Sequence, residues 1–249
     1  MRTSTFETLI DLNDRGVDLL TSRNVESANM HFRTAIRMLE AVLKQTSIAK
    51  APCRNLTSAK REAASAATDA SPQQSRPAQG AASLSSTLDQ SRFYVSMRPI
   101  KIVPKNRSNK EILGGFATTV ISYNLALSFH LLSLKSSVTA YSYRRSAIAF
   151  YRVAFTLCLK AAKRSSAPSG TMAGTMVLLD LAITNNLAVL HHQTGNEEHA
   201  RNYFERLVFQ IRKLDARLTT KATGFVANLI VMDLSGRSLP AAAAAWLAQ

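Results

Sequence analysis

An all-α protein built of packed helical hairpins is what this sequence predicts, on three observations. Apolar side chains recur every three or four residues along most of the chain, the period of a helix with one buried face. Helix-breaking residues are few, with Gly 9 and Pro 7 in 249 residues, and Ala, Leu and Ser are many, which argues against an all-β fold. One set of small and aromatic residues also returns at a fixed spacing.

The elements follow in order. Residues 5–22 carry Phe6, Leu9, Ile10, Val17 and Leu20 at helical spacing, with Thr5 as an N-terminal cap. Ser22-Arg23-Asn24 breaks the pattern, and a second amphipathic stretch runs from about Val25 to Lys44. Two helices joined by so short a turn make an antiparallel hairpin over residues 1–46. Residues 47–110 change character. From 47 to 92 the composition is Ala, Ser, Gln, Thr, Pro and Lys, too poor in large apolar residues to offset chain entropy, and disorder is expected. Residues 93–104, FYVSMRPIKIVP, alternate and contain Pro99 and Pro104. An extended arm packed on the helices, or a short edge strand, is expected there. A second hairpin covers 111–164, with helices over 111–134 and about Val138–Lys163. A third covers 171–217, with Gly195 suited to a left-handed helix end and Asn196 to the next N-terminal cap. Residues 218–249 are expected to add a seventh helix, about Thr219–Leu234, and a tail, all in one folded domain.

The repeat lies in the spacing. Gly16 is followed at +12, +16 and +19 by Ala28, Phe32 and Ala35. Ala188 is followed at the same offsets by Ala200, Phe204 and Leu207. Ala126 leads to Ala147, Tyr151 and Ala154 once nine residues around 132–142 are removed, so the middle hairpin has a longer turn or longer helices. Small residues on both helices let two backbones approach, and an aromatic one turn later fills the gap to the next hairpin.

These residues resemble the tetratricopeptide repeat (TPR) family in a divergent form. The family's usual Trp is missing, and Glu40 and Arg212 stand where its Pro is expected. The resemblance implies a TPR-like α-α superhelix of three hairpins, closed by a capping helix and interrupted by the long insertion. It also implies a concave groove lined by the first helix of each hairpin. Asn13, Asn124, Asn185 and Asn186, with His130 and His192, fall on groove-lining positions. The implied function is a protein-interaction scaffold that binds a peptide or partner helix. An asparagine amide offers a donor and an acceptor, which suits the main chain of an extended peptide; equally, it can tie adjacent helices together. The cationic clamp that some TPR domains use for a C-terminal carboxylate is not matched, since Asn13 and Val17 occupy its places.

Charge narrows the partners. The formal net charge is +15. By segment it is zero over 1–46, +8 over 47–110, +6 over 111–171 and +1 over 172–249. That excess favours acidic peptides, nucleic acid or anionic surfaces. Arg144, Arg145, Arg152 and Lys160 lie on one helix with Tyr141, Tyr143 and Tyr151 interleaved, and a helical-repeat RNA-binding protein using this hairpin and the insertion is the alternative function. Two cysteines, Cys53 and Cys158, set no disulfide framework, and the N-terminus has no apolar leader, so a cytoplasmic or nuclear protein is expected. The uncharged run Ile112–Leu134 reads as a buried helix rather than a membrane span, since it contains Asn124, His130 and many hydroxyls. No nucleotide loop, nucleophile elbow or metal-ligand spacing occurs, so no enzyme, cofactor or metal is expected, and the histidines read as groove-lining or buried side chains.

Overall fold

The computed structural model describes residues 3–45, 96, 98–102, 110–135, 137–164, 171–214, 224–226 and 228–229. The expected disordered insertion at 47–92 and the tail beyond residue 229 lie outside these. Every regular element among the described residues is an α-helix: α1 (Thr3–Thr21), α2 (Val25–Gln45), α3 (Lys110–Lys135), α4 (Ala140–Arg164), α5 (Thr171–Gln193) and α6 (Glu197–Arg212). Of the expected seventh helix, residues 224–226 and 228–229 are described, and they are helical. The chain divides into two compact units. One contains α1–α4 and residues 98–102; the other contains α5, α6, Ser96 and the helical residues near 225.

In the first unit α1 packs on α2, α2 on α3 and α3 on α4. The α1–α2 turn closes through Arg23 in the left-handed region, φ 64°, a conformation expected of glycine rather than arginine. It is held by Asn24 N–H donating to the Leu19 carbonyl at 2.8 Å. Asn24 then caps α2, its Oδ1 accepting from Ser27 N–H at 3.3 Å. Leu9, Val17 and Leu20 of α1 are buried, as are Ala28, Phe32, Ala35 and Ile36 of α2. The small residue is needed where the repeat places it. A Cβ on Gly16 would fall 2.5 Å from the Phe32 ring, which is itself fully buried. Gly16→Ala should therefore destabilise the protein by about 1–3 kcal/mol from overpacking, outweighing a helix-propensity gain of about 1 kcal/mol. A raised melting temperature would contradict this packing.

Asn29 donates to Ser128 Oγ at 2.8 Å inside the α2–α3 seam, and Lys135 meets Glu26 at 3.2 Å at its exposed end. From Ala117 to His130 every residue of α3 is buried, so this stretch has no solvent-facing side. Its hydroxyls turn inward: Thr118 and Thr119 donate to the Gly114 and Gly115 carbonyls at 2.7 and 2.9 Å, the usual way to bury such groups in a helix. By length and composition alone, Gly114–Lys135 of α3 and Gly174–Gln193 of α5 could each cross a membrane. Shares of 89% and 67% of their apolar windows, however, are buried inside the fold. For α3, close packing by itself accounts for the apolarity.

Aromatic rings fill the α3–α4 contact. Tyr123 lies 5.9 Å from Tyr151 and Phe129 stacks on Phe150 at 5.9 Å, centroid to centroid. Eight of the nine extra residues of the middle hairpin are taken up by longer helices and one by a longer turn. α3 and α4 have 26 and 25 residues against 19 and 21 for α1 and α2. The extended tip exposes apolar side chains, with Val138 at 92% and Tyr141 at 65%.

In the second unit α5 packs on α6, and the turn repeats that of α1–α2 atom for atom. Gly195 takes φ 74° where Arg23 stood, Asn196 N–H reaches the His191 carbonyl at 2.9 Å, and Asn196 Oδ1 accepts from His199 N–H. Ala188, Ala200, Phe204 and Leu207 are all buried. Asp180 accepts from Arg206 at 3.3 Å and Gln210 at 2.5 Å. Its burial still pushes the carboxyl above the usual range, with Arg206 acting in the opposite direction. The sequence pattern runs on to about Arg217, but α6 closes at Arg212. Lys213 and Leu214 N–H groups bond back three residues to the Gln210 and Ile211 carbonyls, which tightens the end.

Candidate functional site

Two residues before each repeat's small position (Gly16, Ala126, Ala188) stand Asp14, Asn124 and Asn186. Helical phase puts all three on equivalent faces of α1, α3 and α5. Each accepts a main-chain N–H, from Ile102 and Ile100 in the first unit and from Ser96 in the second. Asp14 Oδ1 takes Ile102 N–H at 3.1 Å. Asn124 Oδ1 takes Ile100 N–H at 3.0 Å. Asn186 Oδ1 takes Ser96 N–H at 2.9 Å.

The two amides also donate. In the first unit Asn124 Nδ2 reaches the Ile100 carbonyl at 2.8 Å and Asn13 Oδ1 at 2.9 Å. Asn13 Nδ2 reaches the same Ile100 carbonyl at 3.1 Å and the Asp14 carboxylate at 3.0 Å. Tyr123, one residue before Asn124, donates its hydroxyl to the Arg98 carbonyl at 3.2 Å. Residues 98, 100 and 102 are thus held by their main chain at alternate positions, the period of an extended chain. Among the described residues no strand pairs with them; side chains satisfy the backbone instead. Asn13 and Asn124 are fully buried, so each unmade bond would carry a full desolvation cost. Lys101 projects to the exposed Asp18 at 2.7 Å, and that bond raises the lysine's pKa.

The second unit repeats the chemistry on Ser96. Asn186 Nδ2 donates to the Ser96 carbonyl at 3.1 Å, completing a two-point hold. Asn185 Nδ2 supports Asn186 Oδ1 at 3.1 Å, and Asn228 Nδ2 in turn supports Asn185 Oδ1 at 2.6 Å. All three asparagines are fully buried.

The structure therefore brings the four predicted asparagines onto main chain or onto one another. Sequence reasoning missed Asp14 and Tyr123. The signal for Asp14 was present, because it stands at the repeat position of Asn124 and Asn186; its carboxylate drew attention to surface charge instead. Asn228 had no such signal.

The predicted histidines part company. His192 is half-buried, with Nδ1 3.3 Å from Glu197. His130 is fully buried, edge-on to Tyr151 at 6.2 Å, and among the described residues neither ring nitrogen has a hydrogen-bond partner. Burial pushes its imidazole down to about 3, and the Arg144 charge acts the same way. Folded chains thus keep His130 neutral, while unfolded chains protonate it near 6.5. Its contribution to stability is complete above pH 6.5 and is lost as the pH falls from there toward 3. About 2 kcal/mol should disappear between pH 7 and pH 5, at about 1.4 kcal/mol per pH unit below 6.5. Urea midpoints at the two pH values measure this, and His130→Phe should flatten the slope. An unchanged slope in that variant would remove His130 as the cause.

Of the predicted basic residues, all on α4, Arg152 is exposed and Arg144, Arg145 and Lys160 are half-buried. Burial lowers the Arg144 pKa. No group of three or more metal-ligating side chains occurs among the described residues. In comparisons with known proteins, no family model, no curated protein and no solved structure matches this chain significantly.

Proposed function

We propose that this chain is a TPR-like protein-interaction scaffold that holds an extended polypeptide by its main chain. The hairpins stack in the manner of an α-α superhelix, and the first helix of each presents the binding amides. The observation that carries this reading is the two-point hold by Asn124 on Ile100, at 3.0 and 2.8 Å, repeated by Asn186 on Ser96 at 2.9 and 3.1 Å. An amide that takes both the N–H and the C=O of one residue recognises any extended chain without regard to its side chain. Such a surface suits a peptide rather than a small-molecule substrate, and no residue is assigned a catalytic role.

Affinity capture from a native cell extract tests the proposal, using the full chain and an Asn124→Ala/Asn186→Ala chain, with and without nuclease. Captured proteins that survive nuclease and are lost in the double variant are the expected result. Capture abolished by nuclease would point instead to RNA on the Arg145–Arg152–Lys160 side of α4. Capture unaffected by the double variant would remove the amides from the binding function.

A further inference from the structure

The asparagine and aspartate side chains of the first unit already hold a ligand, and that ligand is this chain's own segment 98–102. Three features bear on what could take its place.

First, the hold on the segment is made by side chains. Tyr123 binds the Arg98 carbonyl, Asn124 and Asn13 bind Ile100, and Asp14 binds Ile102, at 2.8 to 3.2 Å. Another extended chain presents the same N–H and C=O groups at the same two-residue period and can replace it bond for bond. Second, side-chain selection is confined to a few points. Ile102 is 1% exposed and so fills an enclosed place, while Ile100 and Pro99 are half-buried. Third, the helix beneath is acidic where the segment is basic. Lys101 Nζ lies 2.7 Å from the Asp18 carboxylate, and the Asp14 carboxylate receives Ile102 N–H. An acidic side chain at the Lys101 place would meet like charge.

We infer that residues 98–102 are a displaceable internal ligand, and that the competing partner is an extended aliphatic–basic segment of another polypeptide, with a lysine or arginine between two aliphatic residues as in Ile100-Lys101-Ile102. The inference rests on the scaffold reading above and adds its selectivity and its resting state. It also reverses the preference that net charge implies: the basic chain offers this partner a locally acidic bed. A tethered segment competes at an effective concentration of about millimolar. If it fills its site in 99 of 100 molecules, an outside peptide binds about 100-fold more weakly than to the open site.

The test is fluorescence anisotropy with a labelled synthetic peptide, SMRPIKIVP (residues 96–104), on the full chain and on Ile102→Asp. That substitution buries a carboxylate in an enclosed place, on the residue whose N–H binds Asp14, and should release the internal segment. Ile102→Asp is expected to bind the peptide at least tenfold more tightly than the unsubstituted chain, and a peptide carrying Lys101→Glu at least tenfold more weakly than the native one. A variant that stays helical by circular dichroism yet binds no better would show a fixed structural strap and overturn the inference. If Ile102→Asp fails to fold, Lys101→Glu in the full chain changes only an exposed residue and must shift affinity for the native peptide in the same direction; no shift overturns the inference. Equal binding of the native and Lys101→Glu peptides overturns the selectivity. Adding Asn124→Ala to the Ile102→Asp chain, which removes the amide without burying a charge and is checked for helicity by circular dichroism, separates the two readings. Binding that persists sinks the amide hold and leaves displacement standing. Binding that is lost, together with indifference to peptide charge, keeps the amide hold and sinks the aliphatic–basic partner.

Discussion

Asn124→Asp should lower stability by about 3–5 kcal/mol, the range for a buried charge deprived of compensation, and the loss should be larger at pH 8 than at pH 5. The wild-type amide donates to two oxygens, the Ile100 carbonyl at 2.8 Å and Asn13 Oδ1 at 2.9 Å. A carboxylate keeps the acceptor for Ile100 N–H but turns the donor into a second acceptor facing those oxygens. It is also fully buried, which disfavours the charged form and drives proton uptake. A protonated carboxyl can donate again, so acid should restore part of the loss. Urea denaturation at the two pH values measures both effects. A cost below about 1 kcal/mol at pH 8 would mean that the hydrogen-bonded network around Ile100 contributes little to the fold.

Phe204→Ala should cost about 3–5 kcal/mol, the usual loss for a core aromatic. Phe204 is 1% exposed on α6, between the buried Ala200 and Leu207. The equivalent residues Phe32 and Tyr151 are fully buried in the first unit. Chemical denaturation gives the number, and a loss under about 1 kcal/mol would mean that the +16 aromatic does not serve the same role in each hairpin.

The helices were legible because their signals are local. The α1–α2 and α5–α6 turns fall where Ser22-Arg23-Asn24 and Gly195-Asn196 interrupt the apolar period. The common spacing from Gly16 and Ala188 identified equivalent buried positions before any packing was known, since helical geometry converts spacing into a shared face. Two local details escaped. Arg23 adopts a left-handed conformation in the turn closed by the Asn24 N–H to Leu19 carbonyl bond, although nothing in an arginine announces it. α6 stops at Arg212 although its sequence pattern continues.

The site was only half legible. Asn13, Asn124, Asn185 and Asn186 could be singled out as amides at equivalent positions, but not what they would hold. Their bonds join residues far apart in sequence: Asn13 and Ile100 are separated by 87 residues, Asn186 and Ser96 by 90, and Asn13 and Asn124 by 111. A run such as SMRPIKI carries an extended tendency from Pro99 and its β-branched residues. It carries no local record of which side chains will satisfy its backbone. By itself, then, the sequence determined an all-helical chain with repeated hairpins and a basic excess, because period, capping and composition act over a few residues. Only the tertiary structure decided that the asparagines close on the chain's own segment and that His130 is sealed from solvent, because burial and hydrogen-bond pairing depend on which distant surfaces meet.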